Sequence, residues 1–355
     1  MESLLIALSG GVDSTIAAWK MKQEGYVCQA AMMNLFGRDD NISSCLAVTQ
    51  ELGIPFHVFD FTVEFRVHVV DRFVQTYLEG QTPNPCVLCN RFLKFDRFLN
   101  KAKELGLSFM ATGHYARIER DPISHRYLLR KAVDETKDQS YVLYTLTQTQ
   151  LAQTMFPLGT LRKNEVRTLA ETLGFSSAGK QDSQDLCFVP DGDYASFIEQ
   201  YTQQRCPPGD FVDKTGKVLG KHKGRIRYTI GQRKGLGIAA PAPYYVCEHN
   251  VQDNTIVLGS ENDLQVQTVT VTDINLIPFD RFDHSIRAIV KVRYRQKGDW
   301  ATVHQTDSDT LQIVFDEPQK GVAKGQSAVL YDGDYVIGGG TITARGTDLW
   351  AGTQE

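Results

Sequence analysis

Two short stretches of this 355-residue chain combine residue types and spacings that can do chemistry. Ser9-Gly10-Gly11-Val12-Asp13-Ser14 stands between an apolar run and an amphipathic stretch. Paired glycines let the backbone approach a ligand closely, and N–H groups at a helix start point at anionic oxygens. The Ser9 and Ser14 hydroxyls add donors, and Asp13 can hold a Mg²⁺ ion or orient water around one. The GxxxxGK[ST] pattern and its lysine are missing, and so is G-x-G-x-x-G, which disfavours a Walker-type loop and a dinucleotide fold. The second stretch is Thr82-Pro-Asn-Pro-Cys86-Val-Leu-Cys89-Asn90. Its prolines keep the backbone out of a helix until after Pro85. Cys89 is then expected at or near a helix N-terminus, where the dipole lowers a thiol pKa, with Arg91 and Lys94 acting in the same direction. A lone Cys-x-x-Cys is a zinc half-site or a redox pair, and no second Cys-x-x-Cys or His-x₃₋₅-His follows it. Cys187 has apolar neighbours that fit a strand, so taken alone it reads as a core cysteine. Cys28, Cys45, Cys206 and Cys247 carry no motif and read as core or incidental positions.

The elements that must position these residues alternate in the first half. Strands are expected at Ser3–Leu8, Tyr26–Met33, Pro55–Phe59 and Ser108–Thr112. Helices are expected at Ser14–Glu24, Ser43–Leu52, Val63–Leu78, Asn90–Leu105 and Lys163–Leu173. That alternation argues for a parallel sheet covered by helices. The character changes near Pro207-Pro208-Gly209. Beyond it, Thr255–Leu258, Thr268–Val271, Ile286–Tyr294, Leu311–Phe315 and Ala328–Tyr331 are short runs rich in strand formers, separated by turn residues. They read as β-meanders or small barrels. Three domains are expected, over 1–204, 205–264 and 265–355.

Composition narrows the class. A 42% hydrophobic chain with a formal charge of −4 excludes disorder and a uniformly basic nucleic-acid coat. No apolar run approaches the roughly 18–20 residues of a membrane span. Glu2 and an immediate core strand leave no room for a signal or transit peptide, and a cytosolic protein is expected. Seven cysteines, irregularly spaced, fit a secreted disulfide scaffold poorly. Charge is unevenly spread: residues 205–235 hold nine Lys/Arg against two Asp. In a strand, Lys291, Arg293, Arg295 and Lys297 would share one face as a basic stripe. Together the two patches point to a polyanion surface.

The hexapeptide at 9–14 resembles the PP-loop of ATP pyrophosphatases. That resemblance implies cleavage between the α- and β-phosphates and a five-stranded parallel sheet of the adenine-nucleotide-hydrolase type. With SGGVDS come, in order, TPNPCVLCN with Lys94-Phe95, ATGHYAR (Ala111–Arg117), KDQSYVL (Lys137–Leu143) and DSQDLCFV (Asp182–Val189). YTIGQRKGLGI (Tyr228–Ile238), VRYRQ (Val292–Gln296) and GQSAVLY (Gly325–Tyr331) follow. Over essentially its whole length the chain resembles the bacterial-type tRNA-specific 2-thiouridylases. The family organisation is a catalytic domain, a small central domain and a C-terminal β-barrel.

The resemblance implies that Ala7, Leu8, Ser9, Gly10, Gly11, Val12, Asp13 and Ser14 hold ATP phosphates with Mg²⁺, and that Met33 and Gly113 border the adenosine. It implies a Cys187 persulfide that attacks C2 of a wobble uridine activated by adenylation. Cys89 would then release the sulfur, leaving a Cys89–Cys187 disulfide. The target is the wobble uridine of tRNAs for Lys, Glu and Gln, which must leave the anticodon stack. Asn84, Pro85 and Cys86 match the segment that meets the base. His114, Lys137, Asp138, Gln139, Arg293, Tyr294 and Gln326 match positions that contact tRNA, and Lys137 has a rival role beside the phosphates. Some relatives carry Asp, regarded as an acid/base group, where this chain has Cys86, so that role does not transfer. Cys86, Cys89 and Cys187 form instead a three-thiolate set able to hold a [4Fe–4S] cluster whose free iron binds sulfide. The sulfur donor is a cysteine desulfurase or a sulfur-relay protein. Competing readings are another PP-loop tRNA thiolase, for 4-thiouridine or 2-thiocytidine, a non-catalytic tRNA-binding module, and a metal-dependent redox protein.

Overall fold

The computed structural model describes residues 2–37, 41–180 and 186–346. The short apolar runs become β1 (Ser3–Ala7), β2 (Val27–Asn34), β3 (Phe56–Asp60) and β4 (Phe109–Thr112). A hairpin, β5 (Ala116–Arg120) and β6 (Tyr127–Lys131), and a two-residue strand, β7 (Thr154–Met155), follow. Strands β3-β2-β1-β4-β7 lie side by side in that order, all parallel, which is the sheet the loop motif implied. Side chains alternate across a strand, so a sheet covered on both faces needs unbroken apolar runs. In β1, Leu4 and Ile6 pack under α1 (Val12–Gln23), α2 (Ile42–Leu52) and the helix Lys163–Thr172. Leu5 packs on the opposite face against Phe73, Leu93 and Phe98, from the helical stretches 62–78 and 85–104.

Those two stretches are not uniform α-helix. Arg66–Val70 and Asn90–Arg97 wind as π-helix between α-helical turns. Single π segments of this kind occur often at functional sites.

The second half is all-β. Strands β8 (Gly209–Val212), β9 (Val218–His222), β10 (Tyr245–Asn250) and β11 (Thr255–Gly259) form a four-stranded sheet in the order β10-β11-β8-β9, around Phe211, Val246, Ile256 and Leu258. The last six strands are β12 (Gln265–Leu276), β13 (Ile286–Lys291), β14 (Asp299–Asp307), β15 (Thr310–Lys320), β16 (Ser327–Asp332) and β17 (Tyr335–Gly346). They run β12-β15-β14-β13-β16-β17, and β17 pairs back onto β12, closing a barrel. Alternate residues fill it, among them Val269 and Val271, Ala288 and Val290, Ala301 and Val303, and Leu311 and Ile313.

Two features depart from expectation. The strand foreseen to Tyr294 ends at Lys291, so Arg293, Arg295 and Lys297 stand in the following turn and form no strand-face stripe with Lys291. The β5–β6 hairpin, although it follows β4 in the chain, joins the barrel sheet through Tyr335 and Arg130. Ion pairs from Asp334 to Arg117 (3.0 Å) and Arg130 (3.4 Å) reinforce that junction.

A second junction is hydroxyl-mediated. The buried Tyr141 donates to the Ser327 carbonyl at 2.8 Å, and Ser327 Oγ lies 3.3 Å from the Tyr144 hydroxyl. An unpaired buried acceptor costs more than the bond contributes. Tyr141→Phe is therefore expected to lower stability by about 1–3 kcal/mol, read as a drop in the thermal unfolding midpoint. Tyr144→Phe, at the longer contact, should lower it less.

Candidate active site

The loop at 9–14 sits where β1 gives way to α1. Gly10 takes φ +74°, and a Cβ there would stand 3.0 Å from Ser44 Cβ. Ser14 Oγ organises the turn, donating to the Gly11 carbonyl at 3.0 Å and lying 3.2 Å from both Ser9 N and Ser9 Oγ. No side chain caps α1, so its first-turn N–H groups face outward beside these hydroxyls. Met33 near the end of β2 and Gly113 just after β4 lie at the same carboxyl edge of the sheet. In open parallel sheets that edge is where ligands bind. A Cβ on Gly113 would come within 2.9 Å of the Asp13 and Ser14 backbone, so this crossing requires glycine.

Asp13 also makes contacts that have no local signature in the sequence. Both of its carboxylate oxygens are held by Lys163 Nζ, at 2.8 and 2.7 Å, and Oδ1 also accepts from the Tyr115 hydroxyl at 2.7 Å. Lys163 has a side-chain exposure of 9%, and its own N–H donates to Asp134 Oδ2 at 2.9 Å. Tyr115 and Lys163 were not among the residues picked out from sequence. The only signal for Lys163 was that it opens a helical pattern, and nothing local tells that this end folds back onto Asp13.

Three thiols lie near one another and near Lys94. Pro85 takes the first helical position, and the Asn84 side chain accepts from Val87 N–H at 3.4 Å. Cys86 thus occupies the first turn, while Cys89 closes it and is buried. This corrects the expectation of a depressed Cys89 thiol: Cys89 lies past the end of the dipole's reach, and burial pushes its thiol up against the lowering effect of Lys94. Cys86 keeps part of its surface in water, yet the packing around its sulfur also raises its thiol. Cys187 lies in a turn, not a strand, next to Phe188, which packs on Phe65, Phe73 and Phe197 at ring separations of 5.0–5.8 Å. Its thiol is pushed up to about 12 by burial and by neighbouring Cys89 and Cys86, with Lys94 opposing. Residues 182–185 of its motif lie outside the described residues.

Lys94 faces all three thiols and His114. In an α-helix residues five apart point to different sides. The π winding over Asn90–Arg97 turns Lys94 back toward the face that carries Cys89. His114 is buried between Phe95 and Phe156, with Nδ1 2.8 Å from Thr112 Oγ1. Burial first, then Lys94, holds its pKa well below the usual imidazole value, so it is neutral.

Other positions of the sequence-derived set turn inward. Asp138 accepts from Ala132 N–H (3.0 Å) and the Ser140 hydroxyl (2.8 Å), and Gln139 Oε1 accepts from Tyr115 N–H (2.9 Å). Lys137 is half-buried in the same turn, its N–H donating to the Asp134 carbonyl at 3.0 Å. Arg293 donates to the carbonyls of Ile230 and Gly321, tying barrel to central sheet. Tyr294 reaches the catalytic side: its hydroxyl donates to the Asp138 carbonyl at 3.1 Å, and its ring lies near enough to Cys86 to feel its charge. Gln326 donates to the Thr82 and Pro83 carbonyls, one residue before Asn84. The structure therefore brings Asn84, Pro85, Cys86, Asp138, Tyr294 and Gln326 to one wall, with Cys89 buried behind it.

All seven cysteines are free thiols, so the implied Cys89–Cys187 disulfide is not formed. A [4Fe–4S] cluster needs three thiolates converging on one centre. Among the described residues no group of three ligating side chains is arranged to hold a metal ion. No helix among the described residues is long and apolar enough to cross a membrane.

Comparison with known proteins accounts for nearly the whole chain. Residues 2–191 match the family described as tRNA methyl transferase HUP domain, 195–260 the tRNA methyl transferase PRC-barrel domain, and 266–342 the aminomethyltransferase beta-barrel domain. The chain is 45% identical over 353 residues to the tRNA-specific 2-thiouridylase MnmA of Clostridioides difficile strain 630, covering 96% of this chain and 98% of that one. It is 43% identical over 355 residues to the protein of that name from Acetivibrio thermocellus (96% and 99% covered). With the tRNA-specific 2-thiouridylase MnmA 2 of Clostridium botulinum strain Loch Maree it shares 44% identity over 345 residues (95% and 97%).

The raised thiols make a pH prediction. A thiol whose pKa lies far above neutrality gains thiolate with every step in pH, so alkylation of Cys187 by iodoacetamide should climb about ten-fold per unit from pH 7 to 9 with no plateau. Lys94→Met removes the opposing cation and should slow alkylation further at each pH. Peptide mass spectrometry reads both, and a plateau below pH 8 would contradict the assignment.

Proposed function

The chain belongs to the tRNA-specific 2-thiouridylase family, and from that premise we propose that it replaces the C2 oxygen of the wobble uridine in tRNAs for Lys, Glu and Gln with sulfur, using ATP. The observation that carries this reading is the adjacency of an uncapped phosphate loop and three thiols across Gly113–His114. The methyl transferase wording of two matched domains fits this corner less well, because transfer of a methyl group needs neither pyrophosphate release nor a pair of thiols.

A carbonyl oxygen is a poor leaving group. Attack of the uridine O2 on the α-phosphorus of ATP expels pyrophosphate and leaves AMP on the oxygen. The loop Ala7–Ser14 would hold the phosphates through first-turn N–H groups and the Ser9 hydroxyl, with Met33 and Gly113 at the adenosine. Mg²⁺ comes with ATP. Asp13 is the group that would face it, and Lys163 the cation able to pass from Asp13 to the phosphates.

The terminal sulfur of a Cys187 persulfide, charged by a cysteine desulfurase or a sulfur-relay protein, then attacks C2, and AMP departs with the former carbonyl oxygen. Cys89 thiolate attacks Cys187 Sγ. The S–S bond to the base breaks, its electron pair leaves on the base sulfur as 2-thiouridine, and a Cys89–Cys187 disulfide remains for an external thiol to reduce. Lys94 supplies positive charge to both thiolates. Asn84, Pro85, Cys86, Lys137, Asp138, Gln139 and Tyr294 would border the flipped base and its strand, with His114 behind them as a neutral, packed ring. Arg293 would act through the backbone it holds. The matched domains and sheets support catalytic, central and barrel domains divided near 204 and 264.

The deciding experiment is nucleoside mass spectrometry of unmodified tRNA for Lys, incubated anaerobically with the protein, ATP, Mg²⁺ and a persulfide source. ATP-dependent 2-thiouridine at the wobble position is expected, and Cys89→Ser or Cys187→Ser should abolish it. Thiolation of a different base would overturn the substrate, and thiolation that requires stoichiometric bound iron would overturn the persulfide route. Gly113→Ala should weaken ATP binding by about ten-fold or more, because the new methyl group displaces the Asp13–Ser14 backbone.

A further inference from the structure

Thr82 and Pro83 present two carbonyls that belong to neither helix nor sheet, in a segment where Pro83 and Pro85 bring no N–H of their own. The barrel provides the donors. The Gln326 side-chain amide donates to the Thr82 carbonyl at 3.1 Å and to the Pro83 carbonyl at 3.0 Å. Thr82 N–H donates back to the Lys324 carbonyl at 2.8 Å. Both partners of the amide are carbonyl oxygens, so its nitrogen must face them, and both N–H groups are engaged. Gln326 is itself fixed by main chain: its N–H donates to Ala323 at 3.3 Å, and its carbonyl accepts from Ile342 at 2.8 Å. The neighbouring Gly325 has φ +86°, and a Cβ on it would stand 3.0 Å from the Thr82 carbonyl oxygen. A side chain at 325 would thus press on the Thr82 carbonyl.

Two residues after Pro83 the chain enters the turn that carries Cys86 and Cys89. We propose that Gln326 is a positioning residue for that turn: by holding the Thr82 and Pro83 carbonyls it anchors the start of the helix from which Cys89 attacks the sulfur-bearing cysteine. The proposal rests on the reading of Cys89 as the sulfur-releasing thiol, and it differs from a direct contact between Gln326 and RNA. It makes the barrel part of the catalytic geometry.

Gln326→Met keeps side-chain length and removes both donors. Cys89 is buried, so its alkylation reports opening of the turn. In the full-length variant, alkylation of Cys89 should quicken by about ten-fold. Single-turnover thiolation should slow by a similar factor, while the Kd for tRNA stays within about three-fold. Gly325→Ala, which leaves the amide in place but pushes on Thr82, should reproduce the faster alkylation and carries the test if Gln326→Met does not fold. A Kd that weakens as much as the rate falls, with Cys89 alkylation unchanged, would make Gln326 an RNA contact and overturn the proposal. Unchanged alkylation and rate would overturn it as well. If the unmodified protein fails to thiolate tRNA, the functional reading falls, and the alkylation comparison still decides whether Gln326 holds the turn.

Discussion

An ammonium group withdrawn from water must find an anion, and for Lys163 that anion is Asp13. The pair ties the first residue of one helix to the first turn of another across 150 positions of chain. Tyr115 donates to the same carboxylate, and Gly113 packs against the same backbone. The corner where β1, β4 and two helices meet is therefore braced around the phosphate loop. The brace also sets the electrostatics of the corner. A positive charge stands beside the loop, neutralised by Asp13 and available to a more highly charged anion.

The barrel contributes walls to this site. Tyr141 and Ser327, Tyr294 and Asp138, and Gln326 with Thr82 and Pro83 are all contacts between the C-terminal strands and segments that border the thiols. The β5–β6 hairpin extends the barrel sheet from the other side. Hydrogen bonds of this kind are worth little singly and fix geometry when several converge. A barrel joined in this way cannot shift without moving the residues around Cys86.

The thiol cluster sits in an unfavourable setting for free nucleophiles. Burial raises all three thiols, and each raises its neighbours when ionised. Of the three, only Cys89 is withdrawn from solvent, while Cys86 and Cys187 are exposed residues. Lys94, turned toward the cluster by the π winding, is the shared counter-charge.

Much of this was legible in the residues themselves. Alternating short apolar runs and amphipathic stretches determine a covered parallel sheet, because only that arrangement buries strands on both faces. Ser9–Ser14 determines a tight strand-to-helix turn lined by hydroxyls, and the change of composition near Pro207 determines an all-β remainder. What only the tertiary structure decided depends on distant segments meeting. Lys163 on Asp13, the hairpin on the barrel, Gln326 on Thr82, and Arg293 turned onto the Ile230 and Gly321 carbonyls have no local signature. The thiol pKa values belong to this second group too. Local sequence placed Cys89 near a helix dipole, but a dipole fades within one turn, whereas burial is set by everything packed around the sulfur.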